Sequence, residues 1–257
     1  MMNPLALPVP ADAARVFCGY RRTGMAREDF LRELGRTFMP GTPLMQAPLG
    51  LAAYLPAVID DETNFDVPDE VALIVYASQA VYQAKRETSL SRRMYTHSHV
   101  AVFDMQRSRA AFPQSLMTPL PVNPAGQPFA WYLFDASVDW QDGHTRFVLI
   151  GRDGDGTDMH AAALAMMGSA RQVLADRGFD QVVGLTAPSF TALWLHAPSL
   201  HEETLAALGI VPAGVAEIRD LQCQTPYVVG DGDPGVTITG AAAFSFRFSR
   251  HLEFFKP

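Results

Sequence analysis

Two histidines one residue apart, His97 and His99, stand two and four places after Tyr95. In an extended strand, residues two apart share a face and lie about 7 Å from each other. Tyr95, His97, His99, Ala101 and Phe103 would then look one way, and Ser98, Val100, Val102 and Asp104 the other. Two imidazoles and a phenol on one face can move protons, or fill two positions around a metal ion. A metal needs a third ligand, and no residue offers one at a recognisable spacing, so none is expected. The chemistry expected is acid–base work by His97, His99 and Tyr95, with Arg93 beside them to hold a carboxylate or an enolate. The plainer reading of the pair is two imidazoles at a strand edge or packed under a helix.

Other polar motifs carry less. His144, His160, His196, His201 and His251 stand alone, as surface or capping residues do. The run Gly151-Arg-Asp-Gly154-Asp-Gly156 precedes a helix in the manner of a phosphate loop. It lacks Gly-Lys-Ser/Thr, its aspartates repel phosphate, and no Glu closes it as a calcium loop, so it reads as a solvated turn. No Gly-x-Ser-x-Gly elbow is present. The aromatic stretch Phe129 to Phe134 is core, or one wall of an apolar ligand cavity. On the second reading Trp131 and Phe103 touch substrate.

Composition removes several function classes. The 257 residues are 48% hydrophobic and 18% charged, which suits a packed core. A net charge of −7 argues against a nucleic-acid partner. No apolar run reaches the roughly 18 residues of a membrane span. Met1 to Ala14 is broken by three prolines and has no basic start, so it is not read as a secretory signal. Two cysteines, Cys18 and Cys223, make no disulfide framework. A cytoplasmic protein is expected.

The elements that must position these residues follow a doubled plan. Arg15 to Tyr20 reads as a strand, turned at Thr23-Gly24. Arg27 to Phe38 is a helix with Phe30, Leu31, Leu34 and Phe38 on one face, stopped by Pro40 and Gly41. Gly41 to Gly50 is a rigid loop, Leu51 to Ile59 a strand, and Asp60 to Glu70 an acidic loop. Val71 to Ala77 is a central strand buried on both faces. Gln79 to Arg93 is a helix and Tyr95 to Asp104 the closing strand, which completes a ferredoxin-like βαββαβ unit.

Five prolines between Arg107 and Pro128 mark a boundary. It divides the chain into a first half (1–112), a linker (113–128) and a second half (129–257). The second half opens with strand Phe129 to Asp135, in a hairpin with His144 to Gly151. A helix capped by Thr157 or Asp158 follows. Ala162, Ala163, Met166, Met167, Ala170, Val173 and Leu174 form its apolar stripe, and Gly178 ends it. Strands Asp180 to Leu185 and Phe190 to His196, a short helix His201 to Leu208, and strands Val215 to Val229 and Ala241 to Phe248 complete it.

The segment Arg21-Arg22-Thr-Gly24-Met25-Ala-Arg27-Glu28-Asp29-Phe30, with Leu34 and Phe38-Met39-Pro40, resembles the opening of the EthD-like branch of the dimeric α+β barrel superfamily. That branch shows an Arg-Arg pair, a Gly-Met turn, an Arg-Glu-Glu-Phe helix start and a His-Ala-Pro helix end. The match covers one helix and its flanks. Ala26 replaces the usual Ser or Thr cap, and Phe38 replaces the histidine, so that histidine's role does not transfer. The resemblance implies an α+β fold of two tandem ferredoxin-like halves closing a pseudo-dimeric barrel. It implies a small-molecule enzyme that needs no cofactor: cyclisation, isomerisation, dehydration or cofactor-free oxygenation of a small apolar, aromatic or polyketide-like substrate. Two alternatives stand beside it: a haem enzyme on a similar tandem fold, and a non-catalytic ligand-binding protein. A homodimer is compatible with each.

Overall fold

The computed structural model describes residues 8–59, 66–86, 89–111, 117–120, 127–140, 143–151, 159–199, 205, 207–210, 217–224, 228–230 and 237–239. It is a mixed α+β structure with two principal sheets.

The first sheet holds β1 (Ala14–Gly19), β2 (Leu51–Val58) and β3 (Glu70–Tyr76), in the order β1-β3-β2, all antiparallel. Every residue of β3 is buried, as a strand flanked on both sides and covered on both faces must be. Between β1 and β2 runs α1 (Arg27–Glu33), a π-helical turn (Leu34–Phe38) and α2 (Met39–Gln46). The helix therefore does not stop at Pro40. Met39 N–H closes the π turn on the Leu34 carbonyl, which resets the hydrogen-bond register just ahead of Pro40, a residue with no N–H to give.

After β3 come α3 (Gln79–Arg86), α4 (Leu90–Val102) and α5 (Met105–Ala111). Here the expected closing strand, Tyr95 to Asp104, is a helix instead. The polar residues that mimic strand alternation bond back along that helix. Thr96 Oγ1 donates to the Arg92 carbonyl (2.9 Å) and Ser98 Oγ to the Tyr95 carbonyl (2.7 Å). Burial follows the helical period, through Tyr95, His99 and Val102. Among the described residues the place of a fourth strand is held by an antiparallel bridge between Arg21 and Phe103, on the side of β1 away from β3. With that bridge counted, the spatial order is the ferredoxin-like 4-1-3-2.

The second sheet contains β4 (Met117–Pro119), β5 (Phe129–Tyr132), β6 (His144–Gly151), β7 (Gln181–Thr186), β8 (Phe190–Ala197) and β9 (Glu217–Gln224), in the order β4-β5-β7-β8-β6-β9. With α6 (Met159–Asp176) between β6 and β7, strands β9-β6-β8-β7 repeat the 4-1-3-2 order. The expected hairpin of Phe129 to Asp135 with His144 to Gly151 does not form. β6 pairs with β8 and β9, while β5 is added to the outer edge of β7. The physical reason lies at one pair: Trp131 stands opposite Gly184, where any Cβ would overlap the indole. Only the bare glycine backbone of β7 accepts that ring.

Strands β7 and β8 pair antiparallel. Gly178 takes a positive φ of 83° and ends α6. On α6 the buried stripe is Ala163, Met166, Met167, Ala170 and Leu174; Val173 is 36% exposed and belongs to the other face. Of the expected strand 215–229, residues 217–224 form β9, whereas β10 (Val228–Gly230) pairs antiparallel with β11 (Thr237–Thr239) in a separate two-stranded sheet. The glycine-rich run after Gly151, the caps Thr157 and Asp158, most of the helix 201–208, the strand 241–248 and His251 lie outside the described residues.

One continuous apolar core takes in both sheets, including Val16 and Leu73 of the first and Phe147, Leu149 and Trp194 of the second. A second core joins the other face of the second sheet to α6 through Trp131, Val148, Ile150, Met167 and Leu174. No helix among the described residues is long and apolar enough to cross a membrane.

Candidate active site

Helix α4 places Arg92, Tyr95, Thr96 and His99 on one face, at the spacing i, i+3, i+4, i+7. That face, β1 and α5 enclose a cleft of about 230 Å³. Arg15, Tyr76 and Tyr82 line it from the sheet and α3; Met105, Ser108 and Arg109 line it from α5. Asp104 caps α5, accepting from the N–H groups of Gln106 (3.1 Å) and Arg107 (2.9 Å), and so fixes where Ser108 and Arg109 stand. The lining contains three arginines and no carboxylate.

His99 is the ionisable base of this cleft. It is 6% exposed. Its Nδ1 lies 2.6 Å from the Tyr95 carbonyl oxygen. A carbonyl only accepts, so Nδ1 carries the proton and Nε2 holds the free lone pair. The ring sits among Phe17 (4.9 Å between centroids), Phe38 (4.8 Å) and Tyr95 (4.2 Å), each nearly perpendicular to it. Burial drives its pKa down to about 4, with Arg92 and Arg109 pushing the same way, while the bond to the Tyr95 carbonyl opposes them. The imidazole is therefore neutral at pH 7.

The phenol of Tyr95 is pushed well above its ordinary pKa by burial, with the Glu70 carboxyl adding to the effect; a hydrogen bond with Thr42 acts the other way. Thr42 in turn donates to the Phe38 carbonyl (2.8 Å). Arg15 is held in place by a 2.7 Å bond to Gln79 and by the Tyr82 ring, 4.0 Å beneath its guanidinium.

Next to this layer lies a carboxyl that sequence patterns did not signal. Glu70 is fully buried, and Tyr54 donates its phenolic proton to it at 2.7 Å. Its other carboxylate oxygen is buried without a hydrogen bond. Burial raises its pKa to about 7, with the Tyr54 bond acting against the rise.

The six expected site residues separate. Tyr95 and His99 line the cleft together. His97 does not share their face: α4 turns it outward, and it is exposed. Arg93 is exposed as well, and its neighbour Arg92 takes the place in the cleft. Phe103 is buried behind His99, against Phe17 (5.2 Å), Phe30 (5.8 Å) and Phe38 (5.0 Å). Trp131 is far from this group in the fold, in the core under α6, with Nε1 donating to Thr186 Oγ1 at 3.1 Å. Arg15, Arg92, Ser108 and Arg109 had no motif. The helical spacing of Arg92, Tyr95 and His99 was the signal that could have found Arg92, the cleft arginine on α4.

Two other histidines have structural settings. His196 Nδ1 meets Asp180 at 2.6 Å, tying the start of β7 to β8. His160 stacks on Phe129, 5.5 Å away. Among the described residues no group of three or more His, Cys, Asp or Glu side chains is placed to hold a metal ion.

No family model and no curated protein sequence matches the chain. The solved structures that are similar include the following two. A putative monooxygenase from Lactobacillus acidophilus NCFM is 9% identical with a TM-score of 0.35, over 88% of this chain and 97% of its own. An anthrone oxidase-like protein is 12% identical with a TM-score of 0.35, over 80% of this chain and 91% of its own. At that identity and superposition neither likeness bears on the chemistry of this chain.

Proposed function

We propose that the α4–β1–α5 cleft is the active site of a small-molecule enzyme that removes a proton from an acidic aromatic or polyketide-like substrate. One observation carries this reading: a buried neutral imidazole, its tautomer fixed by the Tyr95 carbonyl, shares a small cleft with three arginines and no carboxylate. The arginines draw in an anion. His99 Nε2 takes a proton either from the carbon next to a substrate carbonyl, whose electron pair moves onto the carbonyl oxygen, or from a phenol, whose pair stays on its own oxygen. The resulting enolate or phenolate is held by the Arg92 guanidinium. An imidazole with a pKa near 4 is a weak base, but an anionic ligand beside it raises its proton affinity, so proton removal is coupled to binding. Tyr95 remains a neutral donor.

The reading is of the kind the EthD-like resemblance implies, with the base supplied by α4 instead of the position occupied by Phe38. Isomerisation, cyclisation, dehydration and reaction with oxygen all begin from such an enolate. The expected setting is the cytoplasm, as a monomer or homodimer, with no resident cofactor. Haem does not suit the cleft: about 230 Å³ is below the ~300–1,000 Å³ that drug-sized ligands occupy.

The test is a titration with 1-hydroxy-2-naphthoate, followed by protein fluorescence and by the ligand's phenol absorbance. Arg92→Ala should weaken binding about tenfold or more, and Arg93→Ala should leave it unchanged. His99→Gln should abolish any turnover that His97→Gln retains. Equal effects of Arg92→Ala and Arg93→Ala would remove the cleft from consideration. Binding that needs Arg92, with no turnover of any enolisable acid, would make this a ligand-binding protein.

A further inference from the structure

Among the described residues strand β1 is paired with β3 alone. Just past its end, the other side is visible in three hydrogen bonds. Tyr20 N–H donates to Ser108 Oγ (3.1 Å), the Tyr20 carbonyl accepts from Asp104 N–H (2.8 Å), and Arg22 N–H donates to the Val102 carbonyl (3.0 Å). In an antiparallel ladder the N–H and C=O of one residue point to the same side, and sides alternate along the strand. The β1–β3 register runs unbroken from Ala14 to Gly19. Val16 and Cys18 thus aim their backbone groups away from β3, the way Tyr20 does. This accounts for an oddity of the cleft: both residues line it, although each is only 3% exposed and their side chains lie in the core shared by the sheets. What they present to the cleft is peptide backbone.

Such an edge is a template for a ligand that pairs as a strand does. We infer that the cleft recognises aromatic acids carrying a secondary amide next to the carboxylate, the N-acylamino acid pattern. The amide N–H donates to the Val16 carbonyl, and one carboxylate oxygen accepts from Val16 N–H, as the residue opposite in a ladder would. Arg92 and Arg109 take the other carboxylate oxygen. The acyl group runs along the edge toward Cys18, about 7 Å further along, with its carbonyl turned away from β1, as a trans amide sets it against the N–H. The ring lies among Phe17, Tyr82 and Tyr95. The cleft admits one ring and a short acyl group. This assignment rests on the cleft being the functional site; it adds which substrate class the site prefers.

The experiment compares three ligands on the full-length ¹⁵N-labelled protein: N-acetyl-L-phenylalanine, its ester analogue O-acetyl-L-phenyllactate, and 3-phenylpropanoate. The amide should bind about three- to tenfold more tightly than the ester, which has no N–H to give the Val16 carbonyl. The backbone signals of Val16 and Cys18 should move together with those of His99 and Arg92. Val16→Pro removes the outward N–H without touching a bond to β3, and should weaken the amide ligand by a similar factor. If that variant does not fold, the ligand series decides alone. Equal affinity for amide and ester, with His99 and Arg92 responding but Val16 and Cys18 still, would overturn the edge assignment and leave the cleft reading standing. Shifts at Val16 and Cys18 that grow with protein concentration, without ligand, would place a second copy of the chain on the edge and overturn it too. Silence of His99 and Arg92 toward these acids and toward 1-hydroxy-2-naphthoate would sink the cleft reading itself.

Discussion

The rings of Phe38 and His99 meet edge to face, with centroids 4.8 Å apart. Phe38 is the last residue of the π-helical turn, and the same ring stacks on Tyr95 at 5.9 Å. Phe38 therefore forms part of the wall around the histidine on α4. π-helical turns are frequent where a helix must aim one side chain out of its regular order.

Truncating Phe38 removes that wall. Phe38→Ala should cost about 3–5 kcal/mol of stability and open space beside the imidazole. Water entering there would relieve the desolvation that holds His99 neutral, so its pKa should rise toward its ordinary value. Denaturant unfolding measures the first effect and the NMR titration of the His99 ring the second. An unchanged His99 titration in a folded Phe38→Ala protein would show that Phe38 does not shield it.

His99 and Glu70 oppose each other in the pH dependence of stability. The folded-state pKa of His99 is depressed to about 4, so between pH 4 and its unfolded value of 6.5 the unfolded chain binds more protons, and stability rises with pH. The folded-state pKa of Glu70 is raised from 4.5 to about 7, so the folded chain binds more protons in that window, and stability falls with pH. Each contribution is on the order of 3 kcal/mol. Between pH 4.5 and 6.5 the two should nearly cancel. Glu70→Gln should expose a stability that climbs with pH, and His99→Leu one that declines. Unfolding curves at half-unit pH intervals would reveal this, and parallel profiles for the two variants would contradict it.

Gly184 and Trp131 stand directly opposite each other on β7 and β5. Since a Cβ at position 184 would overlap the indole, Gly184→Val should destabilise the protein by about 1–3 kcal/mol through overpacking. The Trp131→Ala, Gly184→Val double variant should recover part of that cost relative to Trp131→Ala alone. Because both residues are remote from the cleft, ligand affinity should not change.

On α6, Met166 is 6% exposed beneath the helix and Val173 is 36% exposed on its other side. Met166→Asp buries an unpaired charge and should cost about 3 kcal/mol or more. Val173→Ser should stay within about 0.5 kcal/mol. Similar melting temperatures for the two variants would mean that the helix presents a different face to the sheet.

Much of this molecule is determined by local sequence. The runs Leu51 to Ile59 and Val71 to Tyr76 are too apolar and too short for anything but buried strands. Ala163, Met166, Ala170 and Leu174 recur at the helical period, and Gly178 takes the positive φ that ends the helix. The doubled strand and helix order follows from such features, because each rests on neighbours a few residues away. The stretch from Tyr95 to Phe103 is different. Its aromatic and imidazole residues satisfy a period of two and a period of 3.6 equally well, so local pattern leaves its conformation open. Packing decides it: as a helix it buries Tyr95, His99 and Val102 and leaves that side of β1 without a strand partner among the described residues, whereas a strand there would have paired with it. Arg15, Arg92 and Arg109, distant in sequence, converge only once that choice is made. Likewise Glu70 reads as the last acid of a solvated loop, and only pairing with β1 and β2 takes it out of water. Local periodicity thus specifies the elements, and long-range burial specifies which charged groups meet and which of them lose their water.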